Sequence, residues 1–232
     1  MTKIEWTNET WNPVTGCTKI SEGCRNCYAA SIAKRFWGKR KFGEVQCHTS
    51  RLEQPLRWKK PRMIFVCSMG DLFHEEVPFK FINKVFQVIE NCPQHIFQIL
   101  TKRPRRSLLF MEMYQYYRWP ENAWFGVSCE NQKRADERMP MLMQIPVGIK
   151  FVSFEPLLEE VEFSHSCCGW AIVGCETGPK RRECKLEWVQ DLVQQCKDVG
   201  VAVFVKQLEI NGKVRHNPEE WPEDLRIREF PF

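Results

Sequence analysis

The sequence predicts an α/β fold arranged as a partial (β/α) barrel of about six to seven parallel strands, an architecture that occurs as a single domain at this chain length. Short, almost wholly apolar runs recur along the chain, and most are followed by a segment whose apolar residues have helical spacing. This alternation is typical of a parallel sheet covered by helices. Polar or reactive residues follow the runs, as they do at the barrel edge that carries an active site.

The strands are predicted from periodicity and from residues that favour extended backbone. A first strand is expected at residues 4–11, where polar and apolar residues alternate loosely. Further strands are predicted at residues 63–67, 96–100, 124–127, 149–152, 170–173 and 201–205. With the first strand, these runs supply the strands of the predicted barrel.

Amphipathic helices are predicted at residues 28–37, 79–91 and 186–199, where apolar residues recur at helical spacing. A helix after Glu155 is expected to be short or missing, because Pro156 follows directly. Residues 1–210 are therefore expected to form one barrel domain that includes a cysteine loop at 17–27. Residues 211–232 contain three prolines and are expected to form an irregular tail, packed on the barrel by Trp221, Leu225 and Phe230.

The composition excludes some classes of protein. A hydrophobic content of 43% and a charged content of 27% argue against disorder. Twelve cysteines without a secretory leader favour a reducing compartment, so a cytoplasmic location is expected. No apolar run approaches the length of a membrane-spanning helix, so no membrane insertion is expected.

The chain carries a net charge of +5, and its basic residues are clustered. The clusters are at residues 34–35, 39–41, 59–62, 102–106 and 180–182. Several lie beside aromatic residues, a combination that can bind phosphates and stack bases of DNA or RNA. A solvated basic surface is the alternative interpretation, because acidic residues are interspersed.

Three cysteines, Cys17, Cys24 and Cys27, follow the first strand with spacing Cys-x6-Cys-x2-Cys. Structural zinc sites close with four ligands, whereas three thiolates can hold a [4Fe–4S] cluster and leave one iron open to another ligand. Two alternatives remain. The cysteines could pack as small apolar residues, or Cys47 or His48 could complete a zinc site.

Charged residues follow several predicted strands and are therefore expected at one edge of the barrel. They are Asp71, Lys102, Glu155, Glu176 and Lys206. Because active sites of such barrels form at the carboxyl ends of the strands, these residues are candidates for ligand binding. Loop polarity alone explains part of the pattern.

Several motifs together resemble the radical S-adenosylmethionine (SAM) superfamily, and more closely the radical-SAM-like proteins of phages and bacteria that carry a three-cysteine motif. The motifs are Trp11-Asn12-Pro13, Gly16-Cys17, Cys24-x-x-Cys27-Tyr28-Ala29, Leu100-Thr101-Lys102-Arg103-Pro104, Phe154-Glu155-Pro156-Leu157 and Lys206-Gln207. They extend over essentially the whole chain. Two features depart from the superfamily pattern: the first cysteine gap has six residues rather than three, and Asn26 precedes the third cysteine.

The resemblance implies a [4Fe–4S] cluster whose open iron is chelated by SAM, with an external electron donor. One electron would cleave SAM to methionine and a 5′-deoxyadenosyl radical, which abstracts hydrogen from a substrate. The basic, aromatic-rich surface favours a nucleic-acid or nucleotide-derived substrate. The segment Ser68-Met69-Gly70-Asp71 matches the motif that holds the SAM ammonium, with Asp71 as its carboxylate.

Other residues at the predicted edge receive roles in the same reaction. Ser128 and Ser153 are expected to bind the SAM carboxylate or ribose, and Glu155 and Glu176 the ribose or the substrate. Further candidates are Lys102 and Lys206, for a substrate phosphate or carboxylate, and Cys129 and Cys175, as hydrogen-atom donors. Two other functions stay open: a zinc-stabilised nucleic-acid-binding protein without catalysis, and an iron–sulfur regulatory or partner protein without turnover.

Overall fold

The computed structural model describes residues 4–115, 119–163 and 168–232. The strands are β1 (Glu9–Trp11), β2 (Val14–Thr15), β3 (Gln46–Cys47), β4 (Met63–Val66), β5 (Ile96–Thr101), β6 (Ala123–Ser128), β7 (Lys150–Phe154), β8 (Trp170–Gly174), β9 (Ala202–Ile210) and β10 (Lys213–Arg215). The α-helices are α1 (Tyr28–Phe36), α2 (Phe79–Glu90), α3 (Pro104–Tyr114), α4 (Gln132–Met143) and α5 (Leu186–Asp198).

One eight-stranded sheet forms the centre, in the order β1-β4-β5-β6-β7-β8-β9-β10. Neighbouring strands from β1 to β9 are parallel, and only β10 is antiparallel to its neighbour. Strands β2 and β3 form a separate antiparallel pair. The prediction of an α/β fold with a largely parallel sheet is confirmed.

The two faces of the sheet bury different clusters of side chains. One face packs against the helices, and its cluster includes Ile82 of α2 and Leu192 of α5. The other face carries a mainly aromatic cluster of Trp6, Phe65, Trp124, Phe151, Trp170, Ile172 and Phe204. Because alternate residues of a strand point to opposite faces, each apolar strand supplies both clusters.

The sheet curves around the aromatic cluster. The ring centroid of Trp6 lies 4.6 Å from that of Phe65 on β4 and 6.1 Å from that of Trp170 on β8. Strands β4 and β8 are four positions apart in the sheet, which corresponds to about 19 Å in a flat sheet. One indole can contact both only if the sheet is strongly curved.

The amino-terminal strand is shorter than residues 4–11. Only Glu9–Trp11 pairs with β4, while the preceding residues turn so that Trp6 enters the aromatic cluster. The side-chain amide of Gln98 donates to Trp6 O at 3.1 Å and fixes this turn. Burial of the Trp6 indole is therefore favoured over extension of β1 towards residue 4.

The carboxyl-terminal segment contains a strand where an irregular tail was predicted. Asn211 and Gly212 have φ values of 51° and 69°, which suit the two-residue turn of a β-hairpin. This turn brings β10 back against β9. Trp221 and Leu225 are buried as expected.

The connection between β7 and β8 contains no helix in its described part, residues 155–163 and 168–169. The connection between β6 and α4 is short: β6 ends at Ser128, and α4 begins at Gln132. Cys129 and Glu130 lie in this connection.

Within the described ranges, none of the helices combines the length and apolar character needed to cross a membrane.

Gly126 offers a test of the curved sheet. A Cβ at this position would lie 2.6 Å from both Phe151 O and Phe151 Cδ2, so we expect Gly126→Ala to lower the free energy of unfolding by about 1–3 kcal/mol. Urea unfolding followed by circular dichroism measures the change. The exposed Gly148 has no heavy atom within 4 Å of such a Cβ, so Gly148→Ala is the matched control. Equal stabilities for the two variants would contradict this packing.

Candidate functional site

The candidate site lies at the carboxyl ends of the parallel strands, where the cysteine loop of residues 17–27 is anchored. Strand β1 leads through Asn12 and β2 directly into this loop. Gly16 forms a parallel bridge with Gly70 after β4, and Gly16 N donates to Met69 O at 2.9 Å. The start of the loop is thereby fixed to the end of β4.

Gly16 is required by its backbone and by its surroundings. Its φ is 95°, a conformation that side chains other than glycine rarely adopt. A Cβ there would lie 2.5 Å from Glu44 O. On the facing segment, Cys67 has a φ of 62°, which is uncommon for a residue with a side chain. Both backbones are thus held in an unusual geometry beside Cys17.

Arg103 anchors the first cysteine from the end of β5. Its Nη1 lies 3.5 Å from Cys17 Sγ and 3.2 Å from Asp71 Oδ2, and its Nη2 donates to Thr18 O at 3.1 Å. Its Nε donates to Glu75, and its side chain is only 4% exposed. Burial opposes the charge, but Asp71, Cys17 and Glu75 raise the pKa of Arg103 above its ordinary value.

Glu130 anchors the middle of the loop from the end of β6. Its Oε1 accepts a hydrogen bond from Gly23 N at 3.2 Å, and its Oε2 accepts one from Arg138 Nη1 at 2.9 Å. Lys102 Nζ lies 3.6 Å from the same Oε2. Burial alone would raise the pKa of Glu130, but Lys102, Arg138 and the hydrogen bonds lower it to about 2.

Glu176 anchors the last part of the loop from the end of β8. Its Oε2 accepts a hydrogen bond from Asn26 Nδ2 at 2.9 Å, and Arg182 pairs with the carboxylate. Arg182 Nη1 also donates to Glu22 O at 2.9 Å. Burial opposes ionisation, but Arg182 and Asn26 lower the pKa of Glu176. Glu176 therefore fixes the loop.

The three predicted metal-binding cysteines are all partly exposed, whereas the cysteines after the other strands are buried. Burial, followed by the Asp71 carboxylate, raises the pKa of Cys17 to about 12, and Arg103 opposes this increase. Ser21 Oγ lies 3.7 Å from Cys24 Sγ. Deprotonation of Cys17 is therefore expected to accompany binding of a metal centre.

Among the residues that the structure describes, no three His, Cys, Asp or Glu side chains are grouped as ligands of a single metal ion. The residues suggested as a fourth zinc ligand lie in and after β3. Cys47 is exposed and pairs with Val14. His48 Nε2 is 2.7 Å from Thr15 Oγ1, so the imidazole already has a hydrogen-bond partner.

The predicted SAM-ammonium motif lies beside the loop, but Asp71 is fully engaged. Its Oδ1 accepts from Phe73 N and Thr101 Oγ1, and its Oδ2 accepts from Lys102 N and Arg103 Nη1. A carboxylate has about four acceptor positions. Pairing of Asp71 with an ammonium group would therefore displace one of these donors.

The backbone of the same motif is held by the end of β1 and by α1. Asn12 Oδ1 accepts from Met69 N at 2.8 Å, and Asn12 Nδ2 donates to Ser68 Oγ at 3.1 Å. Tyr28 donates its hydroxyl proton to Ser68 O at 2.7 Å. Ser68, Met69 and Gly70 therefore form a fixed segment beside Gly16, the residue that precedes Cys17.

Ser128 and Ser153 are opposite each other in the register of β6 and β7. No side-chain hydrogen bond joins either hydroxyl to another residue in the described part of the chain. The Lys206 ammonium pairs with Glu155 Oε1, which also accepts from Gln207 Nε2 at 2.9 Å. The predicted serines and this ion pair are thus brought to the same edge of the sheet.

Cys129 and Cys175 follow β6 and β8 as predicted, but both belong to the cluster between the sheet and the helices. Their exposed fractions are 0% and 1%. Burial raises the pKa of Cys129 to about 12 and raises that of Cys175 as well. These positions do not favour the hydrogen-donor role predicted for the two thiols, because neither side chain reaches the open edge.

Four residues that hold the loop were not predicted as site residues: Arg103, Glu130, Asn26 and Arg182. Arg103 belongs to the motif Leu100-Thr101-Lys102-Arg103-Pro104, and Glu130 is a charged residue just after a strand. Either feature could have identified its residue as part of the site from the sequence alone. Asn26 was noted only as a departure from the superfamily pattern and Arg182 only as part of the basic cluster 180–182, because their contacts with Glu176 and with Glu22 O depend on the fold.

Glu130 gives a pH-dependent prediction. Its folded-state pKa is about 2, below the ordinary value of 4.5, so its stabilising effect is present above pH 4.5 and is lost as the pH falls towards 2. We expect Glu130→Gln to lower the free energy of unfolding at pH 7 by about 3 kcal/mol. Urea unfolding at several pH values measures this loss, which shrinks below pH 4.5.

Glu137→Gln is the matched control for that experiment. Glu137 lies on α4, has a side chain that is 45% exposed and pairs with Arg134. Its loss is expected to change the free energy of unfolding by less than about 0.5 kcal/mol. A loss for Glu130→Gln that does not depend on pH would show that the carboxylate is not held in its charged form.

Arg103→Lys tests the anchor at Cys17. Lysine keeps the charge but lacks the planar set of donors that contacts Asp71, Glu75 and Thr18 together. We expect amide hydrogen exchange at residues 17–19 to become roughly tenfold faster, because about 1.4 kcal/mol of local stability corresponds to that factor. Arg105 is exposed in the first turn of α3, and Arg105→Lys is expected to leave the exchange unchanged. Similar exchange in both variants would argue against this anchor.

Comparison with known proteins gives one family match. Residues 1–223 match the family model DUF5131, described as a protein of unknown function. No curated protein and no solved structure matches the chain. The matched range contains the cysteine loop and every strand of the sheet described above. The chain therefore belongs to the DUF5131 family.

Proposed function

We propose that this chain is a radical SAM enzyme in which Cys17, Cys24 and Cys27 hold a [4Fe–4S] cluster. The observation that carries the proposal is the anchored loop, whose three partly exposed cysteines are fixed to the carboxyl edge of a curved parallel sheet. In the proposal this sheet is a partial (β/α) barrel of about six to seven parallel strands, the architecture in which such an edge carries the active site.

The donor set fits this group. Thiolates are the usual ligands of iron–sulfur clusters, and hydrogen bonds to the sulfurs tune the reduction potential. Arg103 Nη1 lies 3.5 Å from Cys17 Sγ and can supply such a bond. When bound, a reduced cluster supplies one electron for the cleavage of SAM to methionine and a 5′-deoxyadenosyl fragment that removes hydrogen from the substrate.

The residues of this chain would orient SAM and limit access of water. Ser128 and Ser153 offer hydroxyl groups to its carboxylate or ribose. Trp124 and Phe151 lie on the same strand faces as these serines, since alternate residues share a face. Both rings are buried in the aromatic cluster. That cluster would close one end of the site, which protects a reactive intermediate from side reactions.

The charged residues at the edge have two separate roles in the proposal. Glu130 and Glu176 hold the cysteine loop through Gly23 and Asn26. The Lys206–Glu155 pair remains a candidate contact for the substrate. The proposed substrate is a nucleic acid or a nucleotide derivative, in keeping with the net charge of +5.

Iron analysis of anaerobically purified protein tests the metal centre. We expect about four iron and four sulfide ions per chain, and a severe loss of both in Cys17→Ala, Cys24→Ala and Cys27→Ala. Cys47→Ala and His48→Ala are matched controls that should retain the iron. Stoichiometric zinc that is lost in either control variant would instead support the zinc-stabilised alternative.

SAM turnover is tested in the same preparations. With dithionite as reductant, the wild-type protein is expected to form 5′-deoxyadenosine and methionine, whereas the three cysteine variants form neither. Chromatography coupled to mass spectrometry measures both products. A reducible cluster without either product would support an iron–sulfur regulatory or partner protein and contradict the enzyme proposal.

A further inference from the structure

A basic cleft lies beside the start of the cysteine loop. It has a volume of about 350 Å³ and is lined by Asn12, Thr15, Trp37, Arg40, Gln46, His48, Arg51 and Met69. Two of these residues, Asn12 and Met69, are hydrogen-bonded to each other, and Met69 O accepts from Gly16 N, just before Cys17. The cleft therefore opens next to the candidate metal-binding loop.

Two guanidinium groups and an imidazole converge on this cleft. Within the described ranges, neither Arg40 nor Arg51 has a carboxylate partner in an ion pair. Burial lowers the pKa of Arg40, and the like charge of Arg51 adds to this effect while Glu44 opposes it. Burial and the same two arginines lower the pKa of His48. The Arg40 and Arg51 guanidinium groups thus repel each other, and an anion bound between them would relieve that repulsion.

Arg40 also has a donor to spare. Its Nη2 donates to Thr15 O and to Glu44 O, whereas its Nη1 carries two hydrogens and, among the described residues, donates to Thr15 Oγ1 alone. Its guanidinium lies 4.2 Å from the ring centroid of Trp37, which holds the side chain in position. A fixed guanidinium with a free donor suits a phosphate oxygen.

The surface next to the cleft combines positive charge with exposed aromatic groups. Residues 34–42 contain five basic and three aromatic side chains. Lys34, Arg35, Lys39 and Lys41 are exposed, and Phe36 is 67% exposed at the end of α1. Unstacked bases can pack on such rings, whereas the bases of a duplex are already stacked on each other.

We infer that this cleft and residues 34–42 bind the backbone of a single-stranded nucleic acid, with one phosphate between Arg40 and Arg51 and a base against Phe36. The occupant has to supply both negative charge and exposed aromatic faces, and a single strand supplies both. That this nucleic acid is also the substrate rests on the proposed function: the cleft opens beside the loop that would hold the cluster.

Fluorescence anisotropy with labelled single strands of about 12 nucleotides tests the inference, a length within the usual range of such sites. DNA and RNA strands and a DNA duplex are compared over a range of salt concentrations. Arg51→Gln is expected to weaken single-strand binding about tenfold at low salt and to lower the salt slope by about 0.7. Arg40 is left intact because it also holds Thr15.

Phe36→Ala separates stacking from charge. We expect it to weaken binding by roughly 5- to 100-fold with an unchanged salt slope, since stacking contributes without counterion release. Lys84→Gln on α2 and Lys197→Gln on α5 remove exposed positive charges elsewhere and are the matched controls. Both should bind single strands as the wild-type protein does.

Three outcomes would overturn the inference: tighter binding of the duplex, equal losses in the control variants, or competition by inorganic phosphate at millimolar concentration as effective as that by the oligonucleotide. Binding that follows the variants as expected, in a protein without iron or SAM turnover, would support the nucleic-acid site and overturn its role as the substrate site. The nucleic-acid-binding site and the radical SAM activity can therefore each be refuted independently of the other.

Discussion

The buried guanidinium of Arg103 is the interaction on which the candidate site depends. It joins the end of β5 to Asp71 after β4, to Glu75 and to the loop at Cys17 and Thr18. A buried charge is costly unless ion pairs and hydrogen bonds satisfy it, and here every nitrogen of the group has a partner. The position of Cys17 is therefore coupled to the packing of two central strands.

The rest of the cysteine loop is also held by paired charged groups at the ends of strands. Glu130 and Glu176 are charged groups at strand ends, and each accepts a hydrogen bond from the loop. Their own cations, Arg138 and Arg182, stabilise their charged forms. A loop held at several points would lose little further entropy on binding a metal centre, which is the property that the proposed function requires of it.

Local patterns predicted much of the fold, because the parallel strands are apolar and α2 and α5 are strongly amphipathic. The hairpin at Asn211-Gly212 was missed although the Asn-Gly pair is a strong turn signal. Contacts between distant residues could not be predicted in this way. Arg103 is 86 residues from Cys17, and Glu130 is 107 residues from Gly23. The parallel sheet brings these pairs together, because the strands β1, β4, β5 and β6 lie side by side and their carboxyl ends meet at one edge.

The proposed function requires that Cys17, Cys24 and Cys27 hold a cluster with one iron open to SAM. Electron paramagnetic resonance of the dithionite-reduced, anaerobic protein tests this requirement, with spectra recorded before and after addition of SAM. We expect the signal of a reduced [4Fe–4S] cluster, and a change in its shape when SAM is added. Absence of that signal, or a signal that SAM leaves unaltered, would contradict a SAM-binding cluster at these three cysteines.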